Sequence, residues 1–120
     1  METYHLSDSE YRFMQVVWDA EPVGSGELVA LCREKLGWKK STTYTVLKKL
    51  GERGLVQNEE SVVTALASRE TVTTEAAEAF VDKTFNGSLP GFLAAFMGGR
   101  KLTEREAEDL KRLIDQYQEG

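Results

Sequence analysis

Apolar residues recur at spacings of three and four along most of this chain, and the breaks in that rhythm fall on residues that end helices. The first run opens at Leu6-Ser7-Asp8-Ser9-Glu10. Ser7 is placed to accept from the Glu10 amide while the Glu10 carboxylate reaches back, and Leu6 is placed to staple onto Tyr11. Tyr11, Met14, Val17 and Trp18 then mark a core stripe, until Glu21-Pro22 stops the helix. Gly24-Ser25-Gly26 reads as a loop, with Ser25 as N-cap of a second helix whose Leu28, Leu31, Cys32 and Leu36 share a face. Gly37 closes that helix. A third helix is predicted from about Ser41 to Arg53, with Gly54 at its end and Thr43, Val46, Leu47 and Leu50 facing the core.

Beyond it the period changes. Residues 55–68 contain the β-formers Val56, Val62, Val63 and Thr64 around a polar Asn58–Ser61 stretch, which predicts two strands and a tight turn. Three helices followed by a hairpin is the order of a winged helix-turn-helix, with the hairpin as the wing. Glu59 and Glu60 give this wing an acidic tip, unlike a wing built to grip phosphate. From Thr71 the pattern is helical again. Ala77, Phe80, Val81 and Phe85 form one stripe, Asn86-Gly87 stops it, and an apolar segment runs from Ser88 to Gly99. Leu102-Thr103-Glu104-Arg105-Glu106 repeats the capping device of residues 6–10, and Ala107, Leu110, Leu113, Ile114 and Tyr117 then form a packing seam.

The expected fold is therefore mainly α with a small β-hairpin: an N-terminal winged helix-turn-helix over residues 1–70 and three helices over residues 71–120. Three short helices lack the surface for a core of their own. Leaving Phe92, Leu93, Phe96 and Met97 exposed would favour aggregation, so these helices need a partner. A second copy is the simplest one, which makes residues 71–120 a dimerisation region with Phe92, Leu93, Phe96, Leu110, Leu113, Ile114 and Tyr117 at the interface. Folding back onto the same chain's winged helix is the alternative.

Charge sharpens this picture. The net charge of the 120-residue chain is -5, yet residues 33–53 hold seven basic residues against two acidic ones, a local +5. Residues 1–32 carry six acidic residues and one basic, a local -5. A basic island in an acidic chain suggests a polyanion partner for that island. It coincides with the third helix, whose outward positions are Thr42, Tyr44, Thr45, Lys48 and Lys49, with Lys39, Lys40 and Ser41 at its start. Threonine and tyrosine are poor choices for a merely solvated helix. Hydroxyls reach base edges, lysines neutralise phosphates, and a helix N-terminus favours anions, so the expected partner is double-stranded DNA. A winged-helix module that binds another protein is the alternative, and a DNA-binding protein with an added small-molecule pocket is a third reading.

Other classes fail on inventory. The chain has one histidine, His5, and no glycine-rich phosphate loop after a strand, so no catalytic set is suggested. One cysteine, Cys32, cannot form an internal disulfide or a thiolate metal site, so no metal or cofactor is expected. No apolar run approaches the roughly 20 residues of a membrane span, and the N-terminus lacks the order of a secretory signal, which predicts a cytoplasmic protein without membrane insertion.

The Leu6–Glu10 device with Val16-Val17-Trp18, the run Trp38 to Leu50, Gly54-Leu55-Val56, and the tail from Phe85 to Glu106 together resemble the penicillinase repressor family, the β-lactamase and methicillin-resistance regulators. The resemblance runs from Leu6 to about Tyr117. It implies a homodimeric transcriptional repressor on a palindromic operator, with Ser41, Thr42, Tyr44 and Thr45 toward bases and Lys48 and Lys49 toward the backbone. Family members often carry a basic residue where Tyr44 stands. Relatives released by proteolysis are cut at an Asn-Phe bond that aligns with Ala95-Phe96, which implies a membrane sensor-protease partner and a cut at that bond. Copper-responsive relatives end in a cysteine cluster that is missing from this sequence.

Overall fold

The computed structural model describes residues 4–118; residues 1–3 and 119–120 of the two expected domains lie outside the described residues. Its elements are α1 (Asp8–Ala20), β1 (Val23–Gly24), α2 (Ser25–Leu36), α3 (Lys40–Glu52), β2 (Val56–Glu59), β3 (Val62–Ala65), α4 (Arg69–Phe85), α5 (Leu89–Gly98) and α6 (Glu104–Tyr117). The chain divides within α4 into two compact units, Met1–Glu78 and Ala79–Gly120.

Local chemistry explains where the helices begin and end. Ser7 Oγ accepts from the Glu10 amide at 3.2 Å, and the Ser7 amide donates to Glu10 Oε1 at 2.9 Å, closing the expected capping box. Thr103 and Glu106 repeat it at 3.1 and 3.0 Å. The Thr103 amide, with Arg100 beside it, holds the Glu106 carboxyl below the usual carboxylate range. Gly37 ends α2 at φ 71°, a left-handed conformation that glycine adopts without a Cβ penalty, and its amide donates to Arg33 O at 3.1 Å.

α4 starts at Arg69 rather than at Thr71, and the starts of α2 and α3 also differ from expectation. Gly24, not Ser25, is the N-cap of α2, because the Ser25 amide is taken by Ser61 O at 2.8 Å and the residue is drawn into the first turn and buried. α3 starts at Lys40 rather than near Ser41, with Lys39 in the cap position and no side chain closing it.

The first unit holds the core. Phe13, Met14 and Val17 of α1, Leu28 and Cys32 of α2, Leu47 and Leu50 of α3, Leu55, Val56 of β2, Val63 of β3 and Val72 of α4 are all buried in it. The stripe on α1 is broader than its expected four residues: Phe13 and Val16 are buried as well, whereas Tyr11 and Trp18 are half-buried on another side. That side meets the start of α4, where Trp18 Nε1 donates to Ala67 O at 2.9 Å and Tyr11 Oη lies 3.2 Å from Thr73 Oγ1. Burial pushes the Cys32 thiol up against the opposing effect of the Thr43 hydroxyl, so the cysteine is an inert core residue.

The sheet has three strands in the order β1-β3-β2, all antiparallel. Val56 pairs with Ala65 and Glu59 with Val62, leaving Glu60 and Ser61 as a two-residue turn with φ of 49° and 65°. Positive φ at both central positions is the conformation that matches the twist of paired strands. β1, read in the sequence as loop, adds Val23 opposite Val63 and Gly24 opposite Val62. A strand of two residues carries no period to detect.

Leu50 is fully buried in this core. Leu50→Ala is expected to lower unfolding free energy by about 3 kcal/mol, through lost burial and a residual cavity, while Thr42→Ala on the opposite face changes it by less than about 0.5 kcal/mol. Urea denaturation of the two variants checks the contrast.

Candidate nucleic-acid interface

α3 has two unlike faces. Thr43, Leu47 and Leu50 are buried and Val46 is half-buried against the core, which fixes the rotation of the helix about its axis. The remaining positions are set by that rotation. Lys39, Lys40, Ser41, Thr42, Tyr44, Thr45, Lys48 and Lys49 are all exposed. Thirteen residues give α3 a length of about 20 Å, enough to lie along a major groove.

The hydroxyls and amides of this face are differently committed. Thr45 Oγ1 donates to Ser41 O at 2.9 Å, so its proton is used and its lone pairs are what it can offer a base edge. No side-chain hydrogen bond caps the first turn of α3, which begins beside Lys39 and Lys40. A positive helix end with two flanking ammonium groups is an arrangement suited to a phosphate.

The two lysines at the far end differ as well. Lys49 Nζ lies 3.0 Å from Glu10 Oε2, while Lys48 makes no ion pair among the described residues. Glu10 is buried, receives the Ser7 amide, and also meets Arg53 Nη1 at 3.4 Å. Arg53 Nη2 in turn donates to His5 O at 2.8 Å. Burial opposes charge on Glu10, but the Ser7 amide and the Lys49 ammonium outweigh it and hold the carboxyl below its ordinary value of 4.5. Sequence spacing gave Glu10 only a capping role. Its second role links residues about forty positions apart, which no local pattern reveals.

Between α3 and β2 runs an open groove of about 660 Å³ lined by Tyr44, Lys48, Glu52, Gln57, Asn58 and Leu66, among others. The sequence pattern places Asn58 in the polar turn stretch and gives Gln57 no role. The register Gln57 opposite Thr64 and Asn58 opposite Val63 makes them part of the wing beside the helix. The acidic tip is tied elsewhere: Ser61 O accepts the Ser25 amide at the start of α2, and Gly24 pairs with Val62.

In the second unit, Phe92, Leu93, Phe96, Leu110 and Leu113 line one groove of about 490 Å³ between α5 and α6. Phe80, Phe85, Phe92 and Phe96 form a ladder of ring contacts with centroids 5.6–6.0 Å apart. Ile114 and Tyr117 lie outside the groove and are 56% and 75% exposed, and none of the residues of α5 and α6 is fully buried. Ala95 and Phe96 are exposed within helical α5. Among the described residues no group of three or more His, Cys, Asp or Glu is placed to hold a metal ion, and no helix is long and apolar enough to cross a membrane.

A helix-turn-helix whose last helix exposes hydroxyls and lysines, followed by a sheet wing, defines a winged-helix DNA-binding protein. Residues 6–116 match the penicillinase repressor family, and the chain belongs to it. It is a DNA-binding transcriptional repressor and not an enzyme. The penicillinase repressor of Bacillus licheniformis is 20% identical over 116 residues, covering 93% of this chain and 91% of that one. An uncharacterized 16.5 kDa protein from Latilactobacillus sakei is 32% identical over 57 residues, covering 48% of this chain and 39% of its own length. The multiple antibiotic-resistance repressor (MarR) of Listeria monocytogenes shares the fold, with a TM-score of 0.52 and 20% identity over 92% of this chain and 71% of that one.

The Glu10 node has a pH signature. Because the folded carboxyl titrates below its ordinary value, its stabilisation is complete above that value and disappears as pH falls through the lowered one. Glu10→Gln is expected to lose about 1 kcal/mol of stability at neutral pH. The difference from native protein should close in acid below pH 4.5, as followed by denaturant midpoints across pH.

Proposed function

We propose that the protein acts as a homodimer on a palindromic operator, with α3 of each subunit in the major groove. The observation that carries this reading is the division of α3, whose Thr43, Leu47 and Leu50 are spent on the core while Ser41, Thr42, Tyr44, Thr45 and the lysines are left exposed. In this reading Ser41, Thr42, Tyr44 and Thr45 read base edges, and Lys39, Lys40, Lys48 and Lys49 meet phosphates. Tyr44, 37% exposed at the mouth of the groove beside the wing, sets an operator preference of this chain's own.

Two-fold pairing is supported by the second unit. Leu113, Ile114, Phe96 and Phe80 each leave half or more of their surface exposed, more apolar area than a lone small helical unit sustains. A closed dimer through α5 and α6 covers it and supplies the symmetry that a palindrome matches. Regulation follows the family pattern in this reading, with a membrane sensor-protease leading to a cut at Ala95–Phe96. Since α5 is helical there, cleavage requires local unwinding of that helix.

DNA readout is tested by electrophoretic mobility shift and anisotropy on duplexes selected from a random pool. With four lysines from each of two subunits, the slope of log K against log salt approaches about -7 as an upper bound. Lys48→Ala/Lys49→Ala protein should bind more weakly and with a shallower slope; an unchanged slope would instead favour a protein-binding module. Dimerisation is tested by light scattering of Leu110→Asp/Ile114→Asp protein, which should be monomeric and lose tight operator binding, because a charge at each seam position is costly to bury. A variant that stays dimeric would place the interface elsewhere.

A further inference from the structure

We propose that Glu10 is a positioning residue that tunes the charge of the DNA-reading face, by neutralising Lys49 in the free protein so that each subunit presents three uncompensated lysines rather than four. This rests on the reading of α3 as the DNA-contacting helix, and it distinguishes two neighbouring lysines that the sequence alone makes equivalent.

The geometry is asymmetric. Glu10 is 6% exposed and is anchored at the start of α1 by the Ser7 amide at 2.9 Å, so it cannot swing out after a departing partner. Lys49 reaches it at 3.0 Å while its own side chain stays 62% exposed, near enough to solvent to meet a phosphate. For that contact the ammonium must leave a buried carboxylate, which then keeps the Ser7 amide at 2.9 Å and the more distant Arg53 at 3.4 Å. Taking the nearer cation from a buried carboxylate is costly, so the exchange of one anion for another gains little.

The thermodynamics of binding follow. A lysine contributes to salt-dependent affinity through the counterions that its phosphate contact releases from DNA, about 0.9 in slope per contact. Lys48 brings an uncompensated charge and contributes in full. Lys49 arrives already paired: the Glu10, Lys49 and Arg53 cluster keeps one net positive charge, and the cation left over, Arg53, is turned to the His5 carbonyl rather than offered to the duplex. The native slope for a dimer should therefore lie nearer about -5 than the bound of about -7. Arg53 does not replace Lys49, because it is held by Glu10 and by the His5 carbonyl at 2.8 Å.

The experiment measures affinity for a fluorescent duplex from the random-pool selection over a salt series. Lys48→Ala should flatten the slope by about 1.8 per dimer, and Lys49→Ala by less than half as much. Glu10→Gln, which keeps an oxygen for the Ser7 amide, should steepen it by about 1.8, so that over about a fourfold rise in salt it loses about twelvefold more affinity than native protein. In a Lys49→Ala background, Glu10→Gln should leave the slope unchanged. Equal flattening by Lys48→Ala and Lys49→Ala, a comparison that needs no variant at Glu10, would overturn the assignment. So would equal steepening by Glu10→Gln in both backgrounds, which would mark a general field effect rather than action through Lys49. A native chain that binds no selected duplex would remove the DNA reading itself, whereas duplex binding with equal lysine effects removes only the role of Glu10.

Discussion

The structure depends on how α3 is rotated. Thr43, Leu47 and Leu50 lie within the core, and burying each leucine is worth on the order of 2 kcal/mol relative to exposure. A helix with three of its thirteen residues committed in this way has one low-energy rotation, and that rotation places Ser41, Thr42, Tyr44, Thr45 and the lysines outside. The packing that stabilises the fold is therefore also what aims the face proposed to read DNA. Glu10 reinforces it from α1: its carboxylate fixes the start of its own helix through Ser7 and reaches the last turns of α3 through Lys49 and Arg53. Two helices distant in sequence are locked by one buried anion.

The wing shows how a small sheet is held in place. β2 and β3 alone would be a hairpin, marginal by itself in water. β1 adds a third strand between α1 and α2, and the Ser25 amide and the Glu21 carboxylate take up the Ser61 carbonyl and the Ala65 amide, at 2.8 and 2.9 Å. The wing turn is thus tied to the start of the helix-turn-helix. Gln57 and Asn58 line the groove beside α3, while Glu59 and Glu60 of the acidic tip do not, although Gln57 also borders a second hollow that the two glutamates line.

The second unit obeys a different balance. α6 pairs a solvated face of Glu104, Arg105, Glu108, Lys111 and Arg112 with an apolar seam, and α5 is apolar almost throughout. Phenylalanine rings stack edgewise from α4 into α5, yet no side chain of α5 or α6 is fully covered. The proposed dimer would cover this surface.

Much of this was written locally in the chain. Both capping boxes, the stop at Gly37, the outward set on α3, the hairpin and the family itself were legible because each rests on residues three or four apart, or on a short run with its own period. What the sequence could not disclose joins residues far apart. β1 spans two residues and exists only because Val63 and Val62 lie beside it; Phe13, buried in the core, stacks with Trp38 at 5.9 Å; Gln57 and Asn58 flank α3 only through the strand register. Lys48 and Lys49 look alike in sequence, and a carboxylate some forty residues away makes them different. Periodicity determines which face of an element is apolar; tertiary packing decides which distant charge that face brings within reach, because Coulomb and hydrogen-bond energies depend on separation in space and not along the chain.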